Sequence, residues 1–146
     1  MLNGGYNNTL DDKGRITFPA ALHRAFSGDL VIVTRGAEKC LWVFPPESWK
    51  VFSEKYEKVS AEYRNARILK RHYLGWAVEA EIDKSSRLSI PQELREYAGL
   101  TRKCTVMGVG DRIEIWDEDM YREVNEESEG GSIIELTEEF ADKTGV

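Results

Sequence analysis

The chain has 146 residues and a formal net charge of -6, with 41% hydrophobic and 32% charged residues. That length suits one domain of ordinary size, or two small units sharing a core, better than two independent domains, no apolar run nears the ~18 to 20 residues that span a membrane, and no basic-then-apolar leader opens the chain, so a soluble, unexported protein is expected. Cys40 and Cys104 lie in apolar, strand-like runs without paired Cys or His spacing, which predicts buried thiols in a reducing compartment and no metal site or disulfide.

The acidity is not spread evenly. Residues 118–146 carry two basic against ten acidic side chains, whereas everything before residue 118 sums to +2, with residues 46–76 the most basic part at +3. Binding responds to where charge is presented, so the global value says little about partners.

In chain order, the first pattern is LDDKGRITFPAAL, residues 10–22. Asp-Asp-Lys-Gly has turn chemistry, and the alternation after it sends Ile16 and Phe18 to one side and Arg15 and Thr17 to the other. Pro19 suits the start of a short helix with Leu22 on its buried side. Two β-rich runs follow, LVIVTR at 30–35 and CLWVF at 40–44, joined by GAEK as a hairpin. A helix is expected to start at PPESW, and Trp49, Phe52, Tyr56, Val59, Tyr63 and Ala66 recur at spacings of three and four, which predicts one amphipathic helix of several turns. NARILKRHYLGWA, residues 65–77, predicts a second helical piece whose Arg67, Lys70 and Arg71 either reach phosphates or form a solvated face, the latter being favoured.

The chain then repeats itself. IDKSSRLSIPQEL, residues 82–94, lays onto the first motif at an offset of 72, placing Asp83 on Asp11, Arg87 on Arg15, Pro91 on Pro19 and Leu94 on Leu22. CTVMGV and RIEIW repeat the hairpin around Gly110 and Asp111, and DEDMY repeats the helix start. A duplicated unit of roughly 40 residues accounts for this periodicity.

Three uses of the repeated Asp-x-x-x-Arg compete. An Asp–Arg pair can staple a turn. Two aspartates brought together could share a proton as an acid/base dyad, although each is followed by a charged residue and not by the small Thr/Ser-Gly context of such dyads. Alternatively, Lys13, Arg15, Lys84 and Arg87 face DNA, with the arginines forking onto guanine or clamping phosphate and Asp11 and Asp83 holding them in position. No Ser-His, Cys-His, phosphate-loop or clustered metal-ligand pattern occurs, and His23 and His72 stand alone, so no enzyme, metal or cofactor is expected.

MLNGGYNNTLDDKGRITFPAALHRAF resembles the opening of the MraZ family of bacterial transcriptional regulators, and EIDKSSRLSIPQELREYAGL followed by GVGDRIEIWD resembles its second half, over about residues 1–122. The resemblance implies an α+β fold of two tandem AbrB-like swapped-hairpin β units forming a pseudo-two-fold β-barrel, with helices after each unit. The units fall at residues 5–49 and 77–121, the helical connection at 50–76 and an acidic tail at 122–146. It further implies a ring-shaped homo-oligomer, cytoplasmic and nucleoid-associated, without membrane or cofactor. As a repressor, that ring would bind repeated G-rich boxes in double-stranded promoter DNA of the division and cell-wall gene cluster. The DNA-contacting residues carried over are Lys13, Arg15, Lys84 and Arg87, supported by Asp11 and Asp83. One departure stands out: where the first copy reads Lys-Gly-Arg, the second reads Ser85-Ser86-Arg87. A side chain there costs on the order of 1 kcal/mol if the position requires positive φ. The tail has no assigned counterpart, which leaves partial mobility and packing on a neighbour both open.

Overall fold

A computed structural model describes residues 1–125 and 132–146. The first copy supplies strands β1 (Leu2–Thr9) and β2 (Arg15–Thr17), helix α1 (Ala20–Arg24), strands β3 (Leu30–Arg35) and β4 (Leu41–Phe44), and helices α2 (Pro46–Glu57) and α3 (Arg64–Tyr73). The second supplies β5 (Val78–Glu81), β6 (Arg87–Ser89), α4 (Gln92–Ala98), β7 (Lys103–Gly110), β8 (Ile113–Asp117), α5 (Glu118–Asn125) and α6 (Ile133–Thr144). The order is the same twice over.

The copies exchange strands. The main sheet runs β1-β7-β8-β4-β3-β5, so the first strand of each copy pairs with the hairpin of the other, and β2 pairs with β6 as a separate two-stranded ribbon. All these pairings are antiparallel. Two pairs mark the relation between the copies: Trp42 opposes Glu114, and Ile16 opposes Leu88. Each partner is the other's equivalent at the repeat offset of 72, so a pseudo-two-fold axis passes through both pairs. The expected barrel is not what this pairing gives. Among the described residues the six-stranded sheet ends openly in β1 and β5, and the ribbon forms its own sheet.

One core serves both copies. Ile16, Phe18, Leu22, Val31 and Val33 pack with Leu88, Ile90, Leu94, Val106 and Ile115, all essentially excluded from solvent. The alternation read from the two motifs is therefore the alternation the fold uses. Cys40 and Cys104 are both buried and free; burial pushes the Cys104 thiol up to about 12 and the Cys40 thiol further up. A second, aromatic layer forms under α2 and α3, where Tyr73 stacks on Trp42 at 5.3 Å and Phe52 packs against Phe44 and Trp49. Arg112 lies 4.4 Å over the Trp42 ring, held by two hydrogen bonds to Asp111.

The single long helix expected over residues 49–66 is two helices. α2 stops at Glu57, and Val59 and Tyr63 are exposed instead of continuing its buried stripe. The break has local causes. The Ser60 hydroxyl accepts from the Glu62 N–H, Arg67 donates to the Ala61 and Glu62 carbonyls, and Lys70 donates to the Val59 carbonyl at 2.6 Å. Arg67 and Lys70 thus serve the α2–α3 connection, satisfying carbonyls that the interrupted helix leaves unpaired.

Candidate nucleic-acid interface

The short ribbon β2–β6 carries both motifs. Its register pairs Arg15 with Ser89, Ile16 with Leu88 and Thr17 with Arg87. Ile16 and Leu88 are fully buried and anchor the ribbon to the core. Strand alternation then puts Arg15, Thr17, Arg87 and Ser89 together on the outer face, with the arginines on a diagonal, which in an antiparallel pair spans roughly 7–8 Å. The ribbon is closed at both ends by the turns, since the Phe18 N–H donates to the Ser86 carbonyl and the Ile90 N–H to the Gly14 carbonyl.

Each motif aspartate organises its own turn. The Asp11 carboxylate accepts from the Lys13 and Arg15 backbone N–H groups at 2.9 Å each and from Arg15 Nε at 2.8 Å. Asp83 repeats the backbone part, accepting from the Ser85 and Arg87 N–H groups at 2.8 and 2.9 Å. The side-chain contact is looser. Arg87 Nε lies 3.5 Å from Asp83 Oδ2, an ion pair by distance but not a hydrogen bond by geometry, and that nitrogen is buried without a hydrogen-bond partner. Arg15 is therefore oriented by its aspartate, while Arg87 is only held near its own. With Nε turned inward, the outer guanidinium nitrogens of Arg15 have no protein partner among the described residues and remain available for a ligand.

These contacts hold both carboxyls below the ordinary aspartate value of 3.8, chiefly through the backbone N–H of Arg15 for Asp11 and that of Arg87 for Asp83, with the Arg15 charge also acting on Asp83. A proton-sharing dyad requires the opposite, one carboxyl pushed up by the other. Both aspartates are thereby held as anions by their own turns, and neither shows the raised value that a shared proton would give. Among the described residues no group of three or more His, Cys, Asp or Glu side chains is arranged to hold a metal ion.

The two turns differ. Lys13 and Lys84 are both exposed, but the repeat places Lys13 opposite Ser85 and Lys84 opposite Asp12, so the two lysines are one residue out of step. Gly14 and Ser86 occupy equivalent positions and both have positive φ, 78° and 60°. Ser86 accepts a left-handed conformation that costs ~1 to 2 kcal/mol for an ordinary L-residue. At Gly14 a side chain would in addition meet Arg95, whose guanidinium carbon lies 2.8 Å from where a Cβ would sit. Arg95, on α4 of the other copy, donates from Nε to the Ile90 carbonyl and so sits beneath the first motif. Sequence reasoning did not single it out, because a lone arginine on a short helix has no local signal. Arg71, the third of the basic residues flagged between the copies, is exposed on α3, a helix outside the ribbon.

The site is thus a two-stranded ribbon whose outer face carries two arginines and two hydroxyls, each arginine beside a motif aspartate. The family model described as "MraZ protein, putative antitoxin-like" matches this chain twice, over residues 1–72 and 73–143. A Treponema denticola protein named "Transcriptional regulator MraZ" is 41% identical over 129 residues, covering 88% of this chain and 90% of its own. The chain belongs to the MraZ family. A solution structure of a Pyrococcus horikoshii protein aligns over 79% of this chain and 88% of its own at 15% identity, with a TM-score of 0.32.

Proposed function

We propose that this chain is a sequence-specific, non-enzymatic DNA-binding transcriptional regulator, a repressor that recognises repeated G-rich boxes in promoter DNA of the division and cell-wall gene cluster. The observation that carries the reading is the pair of arginines sharing the outer face of the β2–β6 ribbon, one of them already oriented by its aspartate. A two-stranded ribbon is of a size that the DNA major groove admits, and an arginine fork matches guanine O6 and N7. Arg15 and Arg87 take the base edges in this reading, and Lys13 and Lys84 the flanking phosphates. The name of the Treponema relative agrees with it. No helix among the described residues is long and apolar enough to cross a membrane, which leaves a cytoplasmic, nucleoid-associated site of action open to the protein.

The units at residues 5–49 and 77–121 act as the paired halves of one recognition surface, and several chains act together as a ring-shaped homo-oligomer. A gel-shift with the DNA upstream of the protein's own gene tests the proposal. Retarded, sequence-dependent complexes are expected. Binding no tighter than to scrambled DNA of equal length would leave the Asp–Arg pairs as turn staples in a protein-interaction scaffold.

A further inference from the structure

The acidic tail contains a helix for which the single chain has no use. α6 is well specified: the Ser132 hydroxyl caps its N-terminus by accepting from the Glu135 N–H, and Gly145 ends it in the left-handed conformation. Yet none of its residues is buried, and Ile133, Leu136 and Phe140 stand exposed at spacings of three and four, with Phe140 at 56%. Twelve residues are too few for a stable isolated helix in water, and i, i+3, i+7 apolar anchors are how an amphipathic helix engages a groove.

The same chain offers such a groove. Between the end of α2 and α3 lies an open apolar cleft of about 420 Å³ lined by Tyr56, Val59, Tyr63, Ala66 and Leu69, with Arg64 at its rim. It exists because the helix expected over 49–66 breaks at Lys58–Tyr63, exposing two residues of its apolar stripe. The charges match. Segment 46–76 is the most basic part of the chain at +3, while α6 carries Glu135, Glu138, Glu139 and Asp142 against Lys143 alone.

We infer that α6 of one copy docks in the α2–α3 groove of a second copy, its Ile133/Leu136/Phe140 stripe on Tyr56, Val59, Tyr63 and Leu69 and its acidic flanks toward Arg64 and the neighbouring lysines. A second copy is the occupant because the chain leaves both surfaces open and their apolar stripes and charges are complementary. The contact is head-to-tail, so it propagates from chain to chain. It supplies the subunit contact for the self-assembly proposed above, but its test contains no DNA and therefore stands or falls separately from the DNA reading.

Two full-length variants test it: a groove variant, Tyr63→Asp with Leu69→Asp, and a helix variant, Leu136→Asp with Phe140→Asp. All four positions are exposed, so the monomer fold should survive, and circular dichroism with thermal melts checks this. Mass is read by light scattering after gel filtration at one fixed protein concentration. The native chain should form a multi-chain species, and each variant alone should fall to the monomer mass. An equimolar mixture should recover a two-chain species, because one intact helix and one intact groove remain. A monomeric native chain, variants that assemble as the native chain does, or a mixture that stays monomeric would each overturn the inference, the second being also the result expected if α6 folded onto its own groove.

Discussion

Asp11 and Asp83 accept from the same two backbone N–H groups, two and four residues on, yet only Asp11 also grips its arginine. This difference has a direct consequence for titration. Both carboxyls have folded-state values below 3.8, so the stabilisation they give is complete above that pH and is lost as pH falls through the lower folded value. A carboxyl-detected NMR titration should find both titrating below 3.8. In Arg15→Ala the Asp11 value should rise only part of the way, because the backbone N–H of residue 15, its largest cause, is retained. A complete return to 3.8 would show that the side-chain pair, not the turn, holds the carboxylate. The same geometry predicts that Asp11→Asn lowers discrimination between specific and scrambled DNA while raising affinity for both at low salt, since it frees Arg15 to wander and removes a charge that DNA repels. Asp83→Asn should cost less discrimination, because Arg87 has less orientation to lose.

The two turns test how closely matched the repeats are as elements. Ser86→Gly should raise stability by about 0.5–1 kcal/mol in denaturant unfolding by relieving the left-handed strain, net of glycine's extra unfolded-state entropy. Gly14→Ser should destabilise by more than the reverse change gains, because the displaced Arg95 guanidinium would also give up its hydrogen bond to the Ile90 carbonyl. Equal and opposite effects would mean that Arg95 moves aside without penalty. Much of this level was legible in the sequence: the duplication, both hairpins, the short helices after Pro19 and Pro91, the in-out alternation around Arg15 and Arg87, and the buried thiols all follow from local periodicity and turn chemistry. What was not legible depended on contacts distant in sequence. That β1 pairs with β7 and β3 with β5 requires knowing how two equal patterns combine, and the open sheet follows from that pairing. The break between α2 and α3 escaped a reading by apolar spacing because Ser60, Arg67 and Lys70 act through polar contacts. Of the DNA-face candidates, alternation placed Arg15 and Arg87 correctly on one side, but their diagonal arrangement came from the ribbon register, which no local pattern encodes.

Across the whole molecule, one chain offers two motif arginines, and at ~1 to 3 kcal/mol for each good base contact they reach only the lower part of the ~4 to 10 kcal/mol that separates specific from non-specific binding. On the proposed DNA reading, full specificity therefore calls for several chains acting on one operator. The head-to-tail contact inferred above would present successive chains in the same sense, matching direct repeats spaced near one helical turn, ~10 bp, and not a palindrome. Inserting half a turn between boxes should then weaken binding far more than inserting a whole turn; equal tolerance of both would rule out this use of the assembly. The most direct test of the central claim is a binding titration of promoter DNA and scrambled DNA by the native chain and by the Arg15→Ala/Arg87→Ala double variant, with assembly and melting temperature checked in parallel. The double variant should stay folded and assembled, lose roughly 2 to 6 kcal/mol of specific affinity per chain engaged, and approach its affinity for scrambled DNA. Undiminished preference for the promoter in that folded double variant would contradict the account.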